Sequence, residues 1–137
     1  MIEFKRIYED EDWEVLIPEN FPTSKWIGGG WCSSLNEKDF NTLLKMHCIL
    51  FRILYKGIPY VRLTWSKKTW SFALPNRPAI FSDFEYPFAD SVLKPTHKYS
   101  RDYLDKNALP IFNKIKHLPD SLKLAIIEYK QNQHDCN

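Results

Sequence analysis

The chain opens by alternating. Ile2, Phe4, Arg6 and Tyr8 share one side of an extended backbone, with Glu3, Lys5 and Ile7 on the other, which predicts a short strand. After the acidic turn at 9–12, Trp13, Val15 and Ile17 alternate with Glu14 and Leu16 and predict a second strand. Pro18 and Pro22 then break the chain.

Next comes a helical pattern. Ser34, with Glu37 three residues on, has the form of a capping box, in which each side chain satisfies a backbone N–H near the other. Phe40, Leu43, Leu44, Cys48, Phe51 and Leu54 recur at helical spacing, widened by Met46, Ile49, Leu50 and Ile53. Gly57 supplies the stop, so the pattern predicts a central helix over 35–55.

A hairpin follows. Val61, Leu63 and Trp65 share one face against Tyr60, Arg62 and Thr64; Trp70, Phe72 and Leu74 share one face against Thr69, Ser71 and Ala73. The loop "SKKT" joins the two in phase, so both apolar faces fall on the same side. The stretch 74–95 has four prolines and clustered aromatics, and reads as a short strand at 79–81 within a packed irregular segment. Ser100 is placed to cap a helix from Arg101 to near Pro110, and a short piece covers 111–118. Beyond Pro119 a last helix carries Leu122, Ala125, Ile126 and Tyr129 on one face. The expectation is one α+β domain over 1–131 with a polar tail at 132–137. A small antiparallel sheet, made of the opening strands and the 58–74 hairpin, packs on the central helix, with additional C-terminal helices.

Composition supports a folded domain. Of 137 residues, 44% are hydrophobic and 15% aromatic, enough for a core. The net charge of +2 is too small for binding driven by a broad basic field. Cys32, Cys48 and Cys136 are odd in number and lack CxxC spacing; with no apolar leader after Lys5 and Arg6, they read as free thiols in a reducing cytoplasm. The apolar run "CILFRIL", interrupted by Arg52, is too short to span a bilayer.

The unusual stretch is "TSKWIGGGWCSS", residues 23–34, with three of the four glycines. Cys32 lies just before the expected helix start, where a thiolate is favoured, and the amides of Ser33 and Ser34 offer oxyanion donors. A nucleophilic cysteine also needs a base. His47, deep in the expected helix, is roughly 20 Å away on helical rise, and His97 and His117 would have to return through tertiary folding. The glycines match neither G-x-G-x-x-G nor G-x-x-x-x-G-K-[ST], so they read as a turn that admits Trp26 and Trp31 to close packing. Trp65 and Trp70 fall on the core face of the hairpin, which leaves Trp26 and Trp31 as candidates for exposure. Lys56, Arg62, Lys67 and Lys68 form the best local basic group and an alternative nucleic-acid-binding surface. His47 and Cys48 are adjacent and face apart, and Asp83, Glu85 and Asp90 lack calcium-loop spacing. Neither a metal site nor a cofactor is expected.

Taken together, "GGGWCSS", "LYKGIPYV" and "FSDFEYPFADSVL" resemble a loose group of small bacteriophage-encoded proteins. Their pattern runs Thr-x-Trp-Cys-Thr, a helix, Tyr-x-x-x-Gly-Pro-Leu-Tyr, a strand pair, and Phe-x-Asp-x-x-Asp-x-Pro. The likeness spans 23–95: Trp31 and Cys32 fall on the first motif, Tyr55, Gly57 and Tyr60 on the second, Asp83 and Pro87 on the third. Ser33 replaces a threonine, Ile58-Pro59 replaces Pro-Leu, and the expected helix is longer. The resemblance implies a viral origin and carries no activity with it. The leading expectation is a non-enzymatic accessory protein that binds a partner protein, a host factor or virion component, in the host cytoplasm or in the virion. Its contact surface is expected at Arg77, Phe81, Asp83, Phe84, Glu85, Tyr86 and Phe88, with Trp26 at second rank. The alternatives are a cysteine-dependent enzyme using Cys32, Ser33 and Ser34, and the basic hairpin.

Overall fold

The structure is a computed structural model and describes residues 1–66, 69–73, 75, 96–100, 112 and 115–135. Six strands form one antiparallel sheet in the order of the chain: β1 (Phe4–Glu9), β2 (Trp13–Pro18), β3 (Ile49–Tyr55), β4 (Ile58–Trp65), β5 (Thr69–Ala73) and β6 (Thr96–Ser100). Between β2 and β3 run three short helices, α1 (Phe21–Ile27), α2 (Cys32–Leu35) and α3 (Glu37–Lys45), and α4 (Asp120–Asp135) closes the chain. The α+β class and the C-terminal helix are as the pattern predicted. The helix runs on to Asp135, into the stretch set apart as a tail.

The expected central helix is corrected. It ends at Lys45, and 49–55 is instead an interior strand between β2 and β4. A strand covered on both sides loses its polar alternation and reads as a continuous apolar run. In β3, Phe51 and Ile53 enter the main core on one face, while Leu50, Arg52 and Leu54 are buried on the other. The break before it hides in Met46 and His47, where His47 turns the chain at a φ of 57° without glycine or proline. His47 is therefore an exposed turn residue and not a helical one. The cap also differs: Asn36 starts α3, its Oδ1 accepting from the amides of Lys38 and Asp39. Ser34 Oγ instead donates to the Trp31 carbonyl, so the capping box does not form. Gly57 ends no helix. With Lys56 it makes the two-residue turn between Tyr55 and Ile58, both residues at positive φ as a type I′ turn requires.

The β4–β5 register is the one the phasing predicted, Leu63 opposite Phe72 and Trp65 opposite Trp70. Two bulges modify the alternation. Ile7 is extra between the Arg6–Leu16 and Tyr8–Val15 pairs, and Tyr60 between Val61–Ile53 and Pro59–Leu54. Each bulge lets consecutive side chains reach the same core, so Tyr60 joins Val61 there and does not share the face of Arg62. Ser100, expected as a helix cap, ends strand β6, which the pattern did not predict. The expected strand at 79–81 and helix at 101–110 lie outside the described residues.

The sheet thus has two covered faces. On one, Trp13, Val15, Ile17, Phe51, Ile53, Val61, Leu63 and Trp65 meet Leu122 and Ile126 of α4 together with Phe112, Ile115 and Leu118. On the other, Leu16 and Leu54 meet Ile27 of α1, and Trp31 and Ser33 lie over Arg52. This helix-covered face carries the unusual chemistry.

Candidate functional site

The site is built from the chain that crosses this second face. Asn20 caps α1 by accepting from the Thr23 amide at 2.9 Å, and Thr23 Oγ1 accepts from the Glu3 amide at 2.6 Å, tying the helix to the start of β1. The geometry leaves Trp26 outward, 61% exposed, its ring stacked on Phe4 at 6.1 Å and 19°. Met1 and Ile2 are exposed on the residues leading into β1. The Arg6 guanidinium lies 5.3 Å from the Phe4 ring and pairs with Glu9 and Glu14.

After α1 the three glycines all take positive φ. At Gly29 the reason is spatial: the Trp31 ring folds back onto it so closely that a Cβ would sit 2.3 Å from the indole. The turn therefore seats Trp31, 5% exposed, while Trp26 stays outside. Below Trp31 lies Arg52, its guanidinium carbon 5.2 Å from the ring, a cation–π arrangement. Arg52 Nη2 donates to Ser33 Oγ, and Ser24 Oγ donates to the Ser33 carbonyl at 2.9 Å, which fastens α1 to α2 above the arginine.

Arg52 is 1% exposed and stands directly opposite Arg62 in the β3–β4 register. Its Nε and Nη1 have no hydrogen-bond partner, nor do Arg62 Nε and Thr64 Oγ1 on the neighbouring strand. Burial pushes the Arg52 guanidinium well below the ordinary arginine range, and Arg62 adds like-charge repulsion. Burial lowers Arg62 as well, while the ionised form of the adjacent Cys32 thiol opposes that shift.

The sequence-derived candidates separate on this frame. Cys32 is exposed at the start of α2. No imidazole or carboxylate is hydrogen-bonded to its thiol among the described residues. Of the two amides considered as oxyanion donors, that of Ser34 is already engaged with the Trp31 carbonyl at 2.8 Å. Cys48 is half-buried, and burial pushes its thiol up. Of the basic hairpin group, Arg62 pairs in register with Arg52, whereas Lys56 lines an open cleft of about 240 Å³ with Glu9, Asp10, Glu11, Asp12 and Glu14. Lys67 and Lys68 lie outside the described residues, as do Arg77, Phe81, Asp83, Phe84, Glu85, Tyr86 and Phe88. Arg52 was legible only as the charge interrupting "CILFRIL"; a lone arginine central to an apolar run is the signal that marks it.

The chain matches no family model, no curated protein and no solved structure.

Proposed function

We propose that the protein is a non-enzymatic accessory factor that acts by binding a partner protein, and that Trp26 is an anchor of the contact. The observation that carries this reading is the exposure of Trp26, 61%, held rigid by its stack on Phe4. An aromatic with two restricted torsions offers large contact area at small ordering cost, and such residues dominate interface energetics. Met1 and Ile2 extend the apolar surface. Strand addition to the β1 edge is disfavoured by the guards that edge strands use, here Lys5, Arg6 and the bulge at Ile7. The exposed Lys25 adjoins Trp26 on α1, so a partner segment with an apolar anchor and a neighbouring carboxylate fits it. The resemblance to small phage-encoded proteins is the ground for taking that partner as a host factor or a virion component.

The test compares wild type with Trp26→Ala. Proteins retained from a host extract by the wild type are purified and their affinities measured by calorimetry. W26A is expected to weaken a true partner by about tenfold or more, with an unchanged melting temperature, while L44A, at an exposed apolar site on α3, leaves binding intact. Equal binding by W26A, or the lack of any protein retained by wild type and lost by W26A, would overturn the reading.

A further inference from the structure

Arginine does not escape burial by shedding its proton, so a guanidinium sealed inside a protein ordinarily meets a carboxylate, a set of carbonyls or a bound anion. Arg52 meets none of these among the described residues. It has the Ser33 hydroxyl and the Trp31 ring, and two of its three nitrogens are unpartnered. The residue opposite it is a second arginine, Arg62, with an unpartnered Nε, and the Thr64 hydroxyl is buried and unpartnered two residues further along the same strand face. Among the described residues no carboxylate lies within ion-pair distance of either guanidinium. Among the described residues, two positive charges and a cluster of donors have no anion to receive them.

We propose that the Arg52–Arg62 pair is a binding site for a phosphoryl group. A phosphate monoester carries a charge of about −1.5 to −2 at neutral pH and three acceptor oxygens, which match two guanidinium forks. A carboxylate, with a single charge, leaves one cation uncompensated. Trp31, wedged between Gly29 and Arg52, and the Ser33 bond hold the deeper fork in one orientation before the ligand arrives. Arg62 is half-buried where Arg52 is sealed, which makes its side of the pair the entrance. The glycine amides play no part, consistent with their lack of a phosphate-loop pattern. The site lies on the covered sheet face and stands apart from the Trp26 platform, so each can fail without the other.

The experiment titrates the full chain with inorganic phosphate and with phenyl phosphate, following the phosphorus resonance and thermal melting. Acetate and chloride at equal ionic strength are the controls. Wild type is expected to show saturable binding, with a Kd of about 1 mM or tighter, and a rise in melting temperature that acetate does not reproduce. Saturation by phenyl phosphate alone assigns an ester, and saturation by both a free or terminal phosphate. R52M and R62M are expected to lose affinity by about tenfold or more. R52M is further expected to melt no lower than wild type in phosphate-free buffer, because it removes an uncompensated buried charge. A purely structural arginine gives the reverse, a lower melting temperature and no phosphate effect in any variant. Should R52M not fold, R62M at the entrance decides the question. Absence of saturable binding in wild type, binding equal to wild type in R62M, or equal saturation by acetate would overturn the assignment.

Discussion

Gly29→Ala isolates the seat of Trp31, because its cost separates into two parts. The first is backbone: at a φ of +96°, an alanine enters a region where an L side chain costs about 1–2 kcal/mol. The second is spatial. The new Cβ would lie 2.3, 2.5 and 2.8 Å from three atoms of the Trp31 ring, where carbon contacts prefer about 3.5–4.0 Å. The ring has to move by about 1 Å, and Arg52 lies beneath it. Overpacking of this kind costs about 1–3 kcal/mol, so the total is about 2–5 kcal/mol. Gly28→Ala reports backbone strain alone, with φ +81° and ψ −145° near a region that only glycine adopts readily and nothing within 4 Å of its Cβ; it should lose about 1–3 kcal/mol. Urea unfolding of G28A, G29A, W31A and G29A/W31A measures the difference. In the W31A background the spatial part should vanish, leaving a coupling of about 1–3 kcal/mol. An additive cycle would refute the placement of the Trp31 ring.

Other substitutions probe the remaining elements. Asn36→Ala should cost about 1 kcal/mol by removing the cap of α3, whereas E37A should stay within about 0.5 kcal/mol, since no capping box exists to lose. Lys56→Asn should stabilise by about 0.5 kcal/mol, because asparagine tolerates the positive φ of the first turn position better than lysine does. Burial raises the folded-state pKa of Tyr60, and burial followed by the Asp10 hydrogen bond raises that of Tyr8. Their contribution is therefore full below about pH 10 and lost as pH rises through the folded values. Y60F should cost about 1 kcal/mol at neutral pH, through the lost bond to the Lys116 carbonyl, and should flatten the alkaline decline seen in urea midpoints. Asp10 has the opposite sign. Its hydrogen bond from Tyr8 lowers its pKa, so its contribution is lost as pH falls below about 4.

The parts of the fold that were legible in the sequence are those with one wet face or one local signal. The β4–β5 pairing followed from alternation, and α4 from Leu122, Ala125, Ile126 and Tyr129. Strand β3 was illegible for the opposite reason: Leu50 to Leu54 is buried throughout, and the single polar residue there, Arg52, cannot by itself betray the period of two. Its left-handed turn at His47 uses a residue that no turn rule singles out. The bulges at Ile7 and Tyr60 insert a residue where local pattern expects strict alternation, and tertiary burial alone decides between the two. At the site, exposure of Trp26 was among the alternatives that the sequence kept open. The meeting of Arg52 with Arg62 was hidden, because it depends on β3 being a strand at all.

The contact between β1 and α4 has a consequence during synthesis. The Tyr8 hydroxyl meets Ser121 Oγ at 2.9 Å, Lys5 Nζ donates to Tyr129 at 3.3 Å, and α4 covers the face formed by β2, β3 and β4. Those strands are complete once Trp65 is made, yet the cover given by α4 is complete only with Tyr129. For a ribosome adding roughly 5–20 residues per second, the intervening stretch of about sixty residues takes roughly 3–13 s. Through that interval Val15, Phe51, Ile53, Val61, Leu63 and Trp65 lack the cover that α4 gives them. This face of the sheet reaches its final burial only after α4 emerges.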